Sequence, residues 1–384
     1  MNKNLIYIFI FLIISGLIGC VQRFIPPVNQ SNPNYLVVDG SIVSGQDSTI
    51  INLSRTTNVN DSSQYVFNPE SGALVSVVGI NGDVYPLIEQ SPGRYVVDQL
   101  NLNQNELYKL QITTASGSQY LSDSIAVLPT PPIDSVSWEL QGDGVHIYVN
   151  THDPQNKTRY YRWKTVQTWE YHSSYDALVQ FTNGTVEPVD SNDQQFRCWL
   201  NVPSTNLLLG SSAKLAQDII YQQPVAFIPL NSQQLSVEYS IVVTQYALSQ
   251  QAYSFWQLLQ QNTEQLGSLF DVQPSEQTGN LHNVANPREP VLGYVSISTP
   301  QQQRIFISYY QVLNTWAYPS QLADCPLKIV PLDSLNYYFT SGFVPVYADV
   351  DQSTGQLIGY YSAYDYCVRC VEGGGTTAKP PFWP

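Results

Sequence analysis

Charge is scarce in this sequence. Only 12% of its 384 residues are Asp, Glu, Lys or Arg, and 16 basic residues face 30 acidic ones. A net charge of −14 argues against nucleic acid as a partner, because a phosphate backbone needs a basic face. It argues equally against adhesion of the polypeptide itself to an anionic lipid surface. The familiar catalytic signatures are missing as well. There is no G-x-S-x-G, no H-E-x-x-H, and no Gly-Lys dipeptide from which a phosphate-binding loop could be built. Gly373-Gly374-Gly375 runs into Thr-Thr-Ala and reads as a tail, not a phosphate cradle. No catalytic residue, metal site or cofactor is therefore expected. Disorder is not expected either: 43% of the residues are hydrophobic, enough for a sizeable core, and the polarity comes from Asn, Gln, Ser and Thr.

The first twenty residues carry the sharpest signal. Lys3 precedes an unbroken apolar run from Leu5 to Ile14, and Leu17-Ile18-Gly19-Cys20 follows. Charge, apolar stretch and small-residue cleavage site in that order make a signal peptide. A membrane-spanning helix needs about 20 apolar residues, and Ser15 and Gly16 interrupt this run too early. Leu-Ile-Gly-Cys resembles the lipobox of bacterial lipoprotein precursors. That resemblance implies cleavage after residue 19 and acylation of Cys20, with palmitate-like chains holding the protein to a membrane. More than one chain is needed for stable anchoring, at about 0.8 kcal/mol per buried methylene. Residues 20–34 contain three prolines and read as a lipidated tether, which reaches at most about 50 Å when fully extended.

Four cysteines remain: Cys198, Cys325, Cys367 and Cys370. An even number in an exported chain suggests two disulfides, with three possible pairings. Cys367-x-x-Cys370 also admits a thioredoxin-like redox site or half of a zinc site. Its glycine- and proline-rich sequel suits neither as well as it suits a disulfide.

The rest reads as mainly β. Short Val-, Ile- and Tyr-rich runs between residues 35 and 129 are separated by turn signals such as Asn81-Gly82 and Ser91-Pro92-Gly93. About seven strands in this space predict an immunoglobulin-like sandwich. Asn-Gly predicts a hairpin with positive φ at both turn positions. Pro129-Thr130-Pro131-Pro132 marks a boundary, since proline cannot continue a sheet ladder. A second β-rich domain, 130–384, is expected to hold one helix near 249–266 and a disulfide-bonded C-terminal region. The fold class is thus two consecutive immunoglobulin- or fibronectin-III-like sandwiches. Ala252, Phe255, Trp256 and Leu259 recur at helical spacing, which assigns the helix to the core.

Several residues invite chemistry and have plainer readings. His146 and His152 share one face of a predicted strand, but no third metal ligand has suitable spacing. Asp349-Val-Asp351-Gln-Ser353-Thr-Gly355 resembles the opening of a calcium loop, yet a hairpin turn explains the same residues. Glu139, Glu170 and Glu187 keep a glycosidase-like carboxylate pair open without selecting one. The Tyr160-Tyr161-Arg162-Trp163 to Trp169-Glu170-Tyr171 run reads first as a sheet strand and second as a surface for sugars or peptides.

Taken in order, these segments resemble a family of uncharacterised Gram-negative envelope lipoproteins known as the domain of unknown function DUF4249. The matching motifs are Cys20, Leu36-Val37-Val38-Asp39-Gly40, Gly72-Ala73-x-Val75 and Pro132-Ile133-Asp134-Ser135-Val136. Tyr160-Tyr161-Arg162-Trp163, Trp169-Glu170-Tyr171, Leu281-x-Asn283 and Val291-Leu292-Gly293-Tyr294 follow. The series ends in the tail from Cys367 to Trp383. The resemblance implies an outer-membrane lipoprotein accompanying TonB-dependent transporters, and carries over no catalytic residue. The expectation is a non-enzymatic accessory or binding component, anchored to the outer membrane by lipid and partnered with such a transporter. A structural or adhesive envelope protein is the alternative, and a hydrolase with an unrecognised carboxylate site the third.

Overall fold

Alternation of apolar and polar side chains writes the first strands. In β1 (Leu36–Val43), Leu36, Val38 and Ile42 point inward, and in β2 (Thr49–Arg55), Ile51 and Leu53 do the same. β3 (Leu74–Gly79), β4 (Val84–Ser91), β5 (Arg94–Val97), β6 (Leu107–Thr113), β7 (Gln119–Ser122) and β8 (Ile125–Pro129) continue the series. The computed structural model describes residues 34–57, 68–190, 194–264, 279–313, 315–316 and 325–384. Residues 1–33, which include the expected signal peptide, Cys20 and all but the last residue of the expected tether, lie outside the described residues. Among those described, no helix is long and apolar enough to cross a membrane.

Two readings of this region need correction. At Asn81-Gly82 only Gly82 takes positive φ (100°), so the β3–β4 hairpin is closed with one left-handed residue, not two. More consequentially, the first sheet is not an immunoglobulin-like sandwich formed by residues 35–129. Its strands run β6-β3-β4-β5-β2-β1 by antiparallel pairing, and a strand from far along the chain completes the circuit. That strand, Ile297–Thr299, lies parallel to both β1 and β8, and β8 pairs back onto β6. Eight strands thus form a closed, barrel-like sheet. Closure removes the free edges that a seven-strand sheet would expose.

The second body follows the proline boundary. β9 (Ile133–Gln141), β10 (Gly144–Asp153) and β16 (Asp218–Pro229) form one antiparallel sheet in the order β16-β10-β9. β11 (Tyr160–His172) is the centre of the other. It pairs with β14 (Arg197–Pro203), with β15 (Leu208–Ser211) and with β17 (Glu238–Ala247), and β17 pairs with β20 (Gln301–Ser308). Val145, Ile147 and Val149 meet Tyr161, Trp163, Tyr239 and Ile241 in one core. Between these strands lie a small hairpin, β12 (Val179–Thr182) and β13 (Thr185–Pro188), and helix α1 (Gln250–Glu264). Ser249 caps α1, its Oγ accepting from the Ala252 N–H at 3.1 Å.

After α1 the chain returns to the first body as β18 (Leu281–Asn283), which extends β7, and as the closing strand, now β19 (Ile297–Thr299). Leu281, Val291, Val295 and Ile297 join the first core. The first structural unit is therefore discontinuous, and the chain enters the second body twice. Gly293 is required at this return (φ 127°), because a side-chain carbon there would overlap the Val38 carbonyl.

The C-terminal region adds a further sheet, β21-β23-β22, from β21 (Lys328–Pro331), β22 (Phe343–Val350) and β23 (Leu357–Tyr364), with short helices α2 (Leu335–Phe339) and α3 (Asp365–Val368). Cys325 pairs with Cys367 inside this region. Cys198 of β14 pairs with Cys370. The tail beyond then crosses the β14 edge: Thr376 bridges to Trp199, and Trp383 is buried with its indole N–H donating to Glu170 at 3.1 Å.

Candidate ligand cleft

Most residues singled out in the sequence turn out to be engaged in holding the fold. Cys367 and Cys370 are bonded to different partners, so neither a dithiol redox pair nor thiolate zinc ligands are present. His146 and His152 do share the outward face of β10, but His146 pairs with Asp143 (2.8 Å) and His152 with Asp134 (2.7 Å). Among the described residues no group of three His, Cys, Asp or Glu side chains is placed to hold a metal ion. Asp351 is turned onto its own loop, accepting from the Ser353 N–H (2.8 Å), the Ser353 hydroxyl (2.6 Å) and the Thr354 N–H (2.9 Å). These bonds, the Ser353 hydroxyl foremost, hold its carboxyl at about 2. The β22–β23 hairpin thus uses the oxygen that a calcium ion would need.

The carboxylates behave similarly. Asp153 and Asp218 face each other across β10 and β16. Asp153 accepts three backbone N–H groups, from Gln155, Lys157 and Thr158, at 2.8 to 2.9 Å. Asp218 accepts the hydroxyls of Tyr161 and Ser212. Glu170 is 3% exposed and accepts from Arg197, His172 and Trp383. Glu139 is bonded to Gln222 on the sheet surface, and Glu187 is exposed on β13. None of these lines the cavity beside α1.

That cavity is a cleft of about 870 Å³ between the first body and α1. Its two walls follow from how α1 is seated. Ala252 and Trp256 form the buried stripe of the helix, and the Arg162 guanidinium of β11 lies 3.8 Å from the Trp256 ring. Burial draws the Arg162 guanidinium down, and Asp39 of β1, across the junction of the two bodies, partly offsets it. With that stripe fixed, helical periodicity turns Gln251, Ser254, Phe255 and Leu258 toward the barrel. The opposite wall is Ile125, Ala126 and Leu128 of β8 with Ile297 of β19, the closing strands of the barrel. Tyr294 stands between the walls, its ring 5.3 Å from that of Phe255 and tilted by 40°.

The cleft is polar and carries little charge. Asp123 is the single ionisable carboxylate in its lining, and it is held by His282 at 3.2 Å. Asn280 is committed to the fold, donating to the Val295 carbonyl (2.8 Å) and accepting from the Val295 N–H (2.9 Å). Ser124, Gln250, Gln251 and Ser254 also line it, and their side chains bond to no group among the described residues. Sequence reasoning missed this site, since Phe255 and Tyr294 lie in apolar patterns that read as core. The strand that brings Tyr294 opposite α1 is three residues long and carries no periodicity of its own.

A family model described as Domain of unknown function (DUF4249) matches residues 21–304. The tail motifs from Cys367 to Trp383 fall beyond that match. No curated protein matches the chain. Among solved structures, a two fibronectin type-III domain segment from chicken tenascin is 11% identical, covering 56% of this chain and 90% of its own, with a TM-score of 0.16. A Salmonella alpha-2-macroglobulin mutant is 10% identical over 88% of this chain and 18% of its own, with a TM-score of 0.18. A putative carbohydrate binding protein from Bacteroides uniformis is 12% identical over 57% and 92%, with a TM-score of 0.16. At these TM-scores none of the three bears on the function of this chain.

Proposed function

The chain belongs to the DUF4249 family of domains of unknown function, and on that footing we propose that it is a lipid-anchored outer-membrane binding component, working beside a TonB-dependent transporter. Cys20 carries the lipid, residues 20–34 form the tether, and the folded body presents a ligand cleft clear of the bilayer. The observation that carries the binding role is the cleft itself. Its volume of about 870 Å³ falls within the range of roughly 300–1,000 Å³ usual for small-molecule sites, and its wall offers uncommitted amides and hydroxyls around an aromatic pair. The start of the family match at residue 21, directly after Cys20, supports processing at that cysteine. The fibronectin-III-like reading belongs in this proposal to the two-sheet body alone. No catalytic role is assigned.

Two measurements test it. Mass spectrometry of the protein from cells should find the N-terminal peptide beginning at an acylated Cys20. An unmodified thiol or a retained leader defeats the anchoring. Gentle solubilisation of the outer membrane followed by affinity purification should recover a transporter, and repeated recovery of the chain alone defeats the partnership. A structural or adhesive envelope role is the second reading. It is favoured by four exposed apolar side chains on the β3–β4 hairpin, Leu74, Ile80, Val84 and Ile88. Attachment of a deletion strain to a surface separates the two readings.

A further inference from the structure

We propose that the outward face of the β3–β4 hairpin rests on the lipid surface of the membrane to which the protein is anchored. The inference goes beyond the binding role above and rests on the lipid anchor of that reading. Alternation sets the face. Val75, Val77 and Leu87 point into the barrel core, so their neighbours on both strands point out. Leu74 is 75% exposed, Ile80 60%, Val84 60% and Ile88 71%. Val78 pairs with Val84, and the same register sets Leu74 beside Ile88. Leu107 of β6 adjoins Ile80, whose N–H donates to its carbonyl at 3.0 Å. Together these side chains make one apolar patch, of the kind that marks an interaction surface.

Charge points to the partner. The chain as a whole, at −14, is too acidic to adhere to an anionic lipid surface, but this face has its own balance. No outward position of β3, β4 or β6 is acidic. Lys109 stands opposite Val78, and Arg94 borders the patch on β5. Of the two acids beside it, Glu89 is turned to the Gly72 and Gly93 N–H groups at 2.9 Å each, and Asp83 sits in the turn. Apolar side chains with cations at their margin suit the boundary between acyl chains and headgroups.

Tether and topology agree with this placement. Leu36 pairs with Arg55, and Asn52 of the same strand pairs with Arg94, beside the β4–β5 turn. The tether therefore leaves the barrel at the rim nearest Leu74 and Ile88. Around the barrel, β4 and β3 are three and four strands from β1, roughly 15 to 20 Å at about 4.8 Å between strands. Residues 20–34 reach at most about 50 Å, so the anchor does not prevent the patch from touching the bilayer. Two strands separate β3 from β19, and two separate β4 from β1. The hairpin is thus the side of the barrel opposite β1 and β19. The cleft is walled by β8 and β19, and the second body meets the barrel at the β1–β2 turn, where Gln302 donates to Asp47 at 3.0 Å. With the patch laid on lipid, both point away from the bilayer.

The test uses the full mature chain, acylated in cells, in vesicles of phosphatidylethanolamine with a minority of phosphatidylglycerol. A phospholipid with a diazirine in its acyl chain is included, and the illuminated protein is digested for mass spectrometry. Lipid adducts should appear on the peptide holding Leu74 to Ile88 and be absent from α1. I80S/I88S should reduce those adducts by roughly tenfold or more, with the thermal midpoint unchanged and Cys20 still acylated. A patch without adducts in the anchored chain overturns the inference, and so does labelling indifferent to I80S/I88S. An unlabelled patch together with a solution dimer that I80S/I88S dissolves overturns it in favour of a second copy. The same digest reads Cys20 separately, and an unmodified thiol there defeats the anchor whatever the patch shows. A labelled patch counts against the adhesive reading, which needs these side chains free of lipid.

Discussion

Glu170 offers the clearest test of how the C-terminal tail is held. Its carboxylate sits on β11, 3% exposed. It takes two bonds from the Arg197 guanidinium at 2.5 and 2.8 Å, one from His172 at 3.0 Å and one from the Trp383 indole at 3.1 Å. Burial alone would raise its pKa. The bonds from His172 and Arg197 and the Arg197 charge outweigh burial and bring the carboxyl from 4.5 to about 2. At 1.36 kcal/mol per pH unit that drop is worth roughly 3 kcal/mol. Arg197 is 50% exposed, so solvent screens part of it, and about 2 to 3 kcal/mol is the expected contribution. A depressed carboxyl stabilises the fold fully above its unfolded value of about 4.5, and the contribution disappears as pH falls through about 2. E170Q keeps the shape and removes the charge. Urea unfolding with disulfides intact, followed by tryptophan emission, should show it weaker by about 2 to 3 kcal/mol at pH 7. The gap between wild type and variant should stay constant down to about pH 5 and narrow between about 4.5 and 2. Equal stability at pH 7, or a gap that does not narrow in acid, would refute the assignment of the tail clasp to an ionised Glu170.

Other consequences are measurable. Non-reducing peptide mapping should find Cys198 linked to Cys370 and Cys325 to Cys367, with no peptide linking Cys367 to Cys370; removing either bond should cost about 2 to 5 kcal/mol in unfolding experiments. G293A should lower stability by at least about 1 to 3 kcal/mol, because the residue is left-handed and its new carbon meets the Val38 carbonyl; an unchanged thermal midpoint contradicts the close approach. An NMR titration should place the Asp351 midpoint at about 2, and millimolar calcium should leave the thermal midpoint where it was. A calcium-induced rise would restore the loop as an ion site.

How much of this was written legibly in the chain depends on sequence distance. The hairpins around Asn81-Gly82 and Ser91-Pro92-Gly93 were plain, since alternation and a turn glycine act within ten residues. Helix α1 was also plain: Ser249 and the spacing of Ala252 and Trp256 define its start and its buried stripe. The place of the closing strand β19 was not, although Val291–Ser298 reads as a strand. It is three residues long, too short for a period, and its register with β8 joins Ile297 to Val127. A pairing across that separation leaves no local trace, so the barrel read as an open sandwich. The cleft was hidden for the same reason, one wall being made of residues whose neighbours are set by that long return. Phe255 satisfied the helical apolar pattern while its ring meets Tyr294 of that long return. Disulfide connectivity was undecidable from spacing, because Cys367 and Cys370, three positions apart, bond to cysteines that are distant in the sequence.

Chains are made from the amino end, and that order has a cost for a barrel whose last stave arrives late. Until residue 299 has emerged, β1 and β8 face solvent with unmatched N–H and C=O groups along the gap that β19 later fills. By then the β9–β11 region, β16, β17 and α1 have all been synthesised, and β20 emerges directly behind β19. The two bodies must therefore mature together. A nascent chain stalled before that point would present an open β edge, the kind of surface that invites a chaperone or a neighbour.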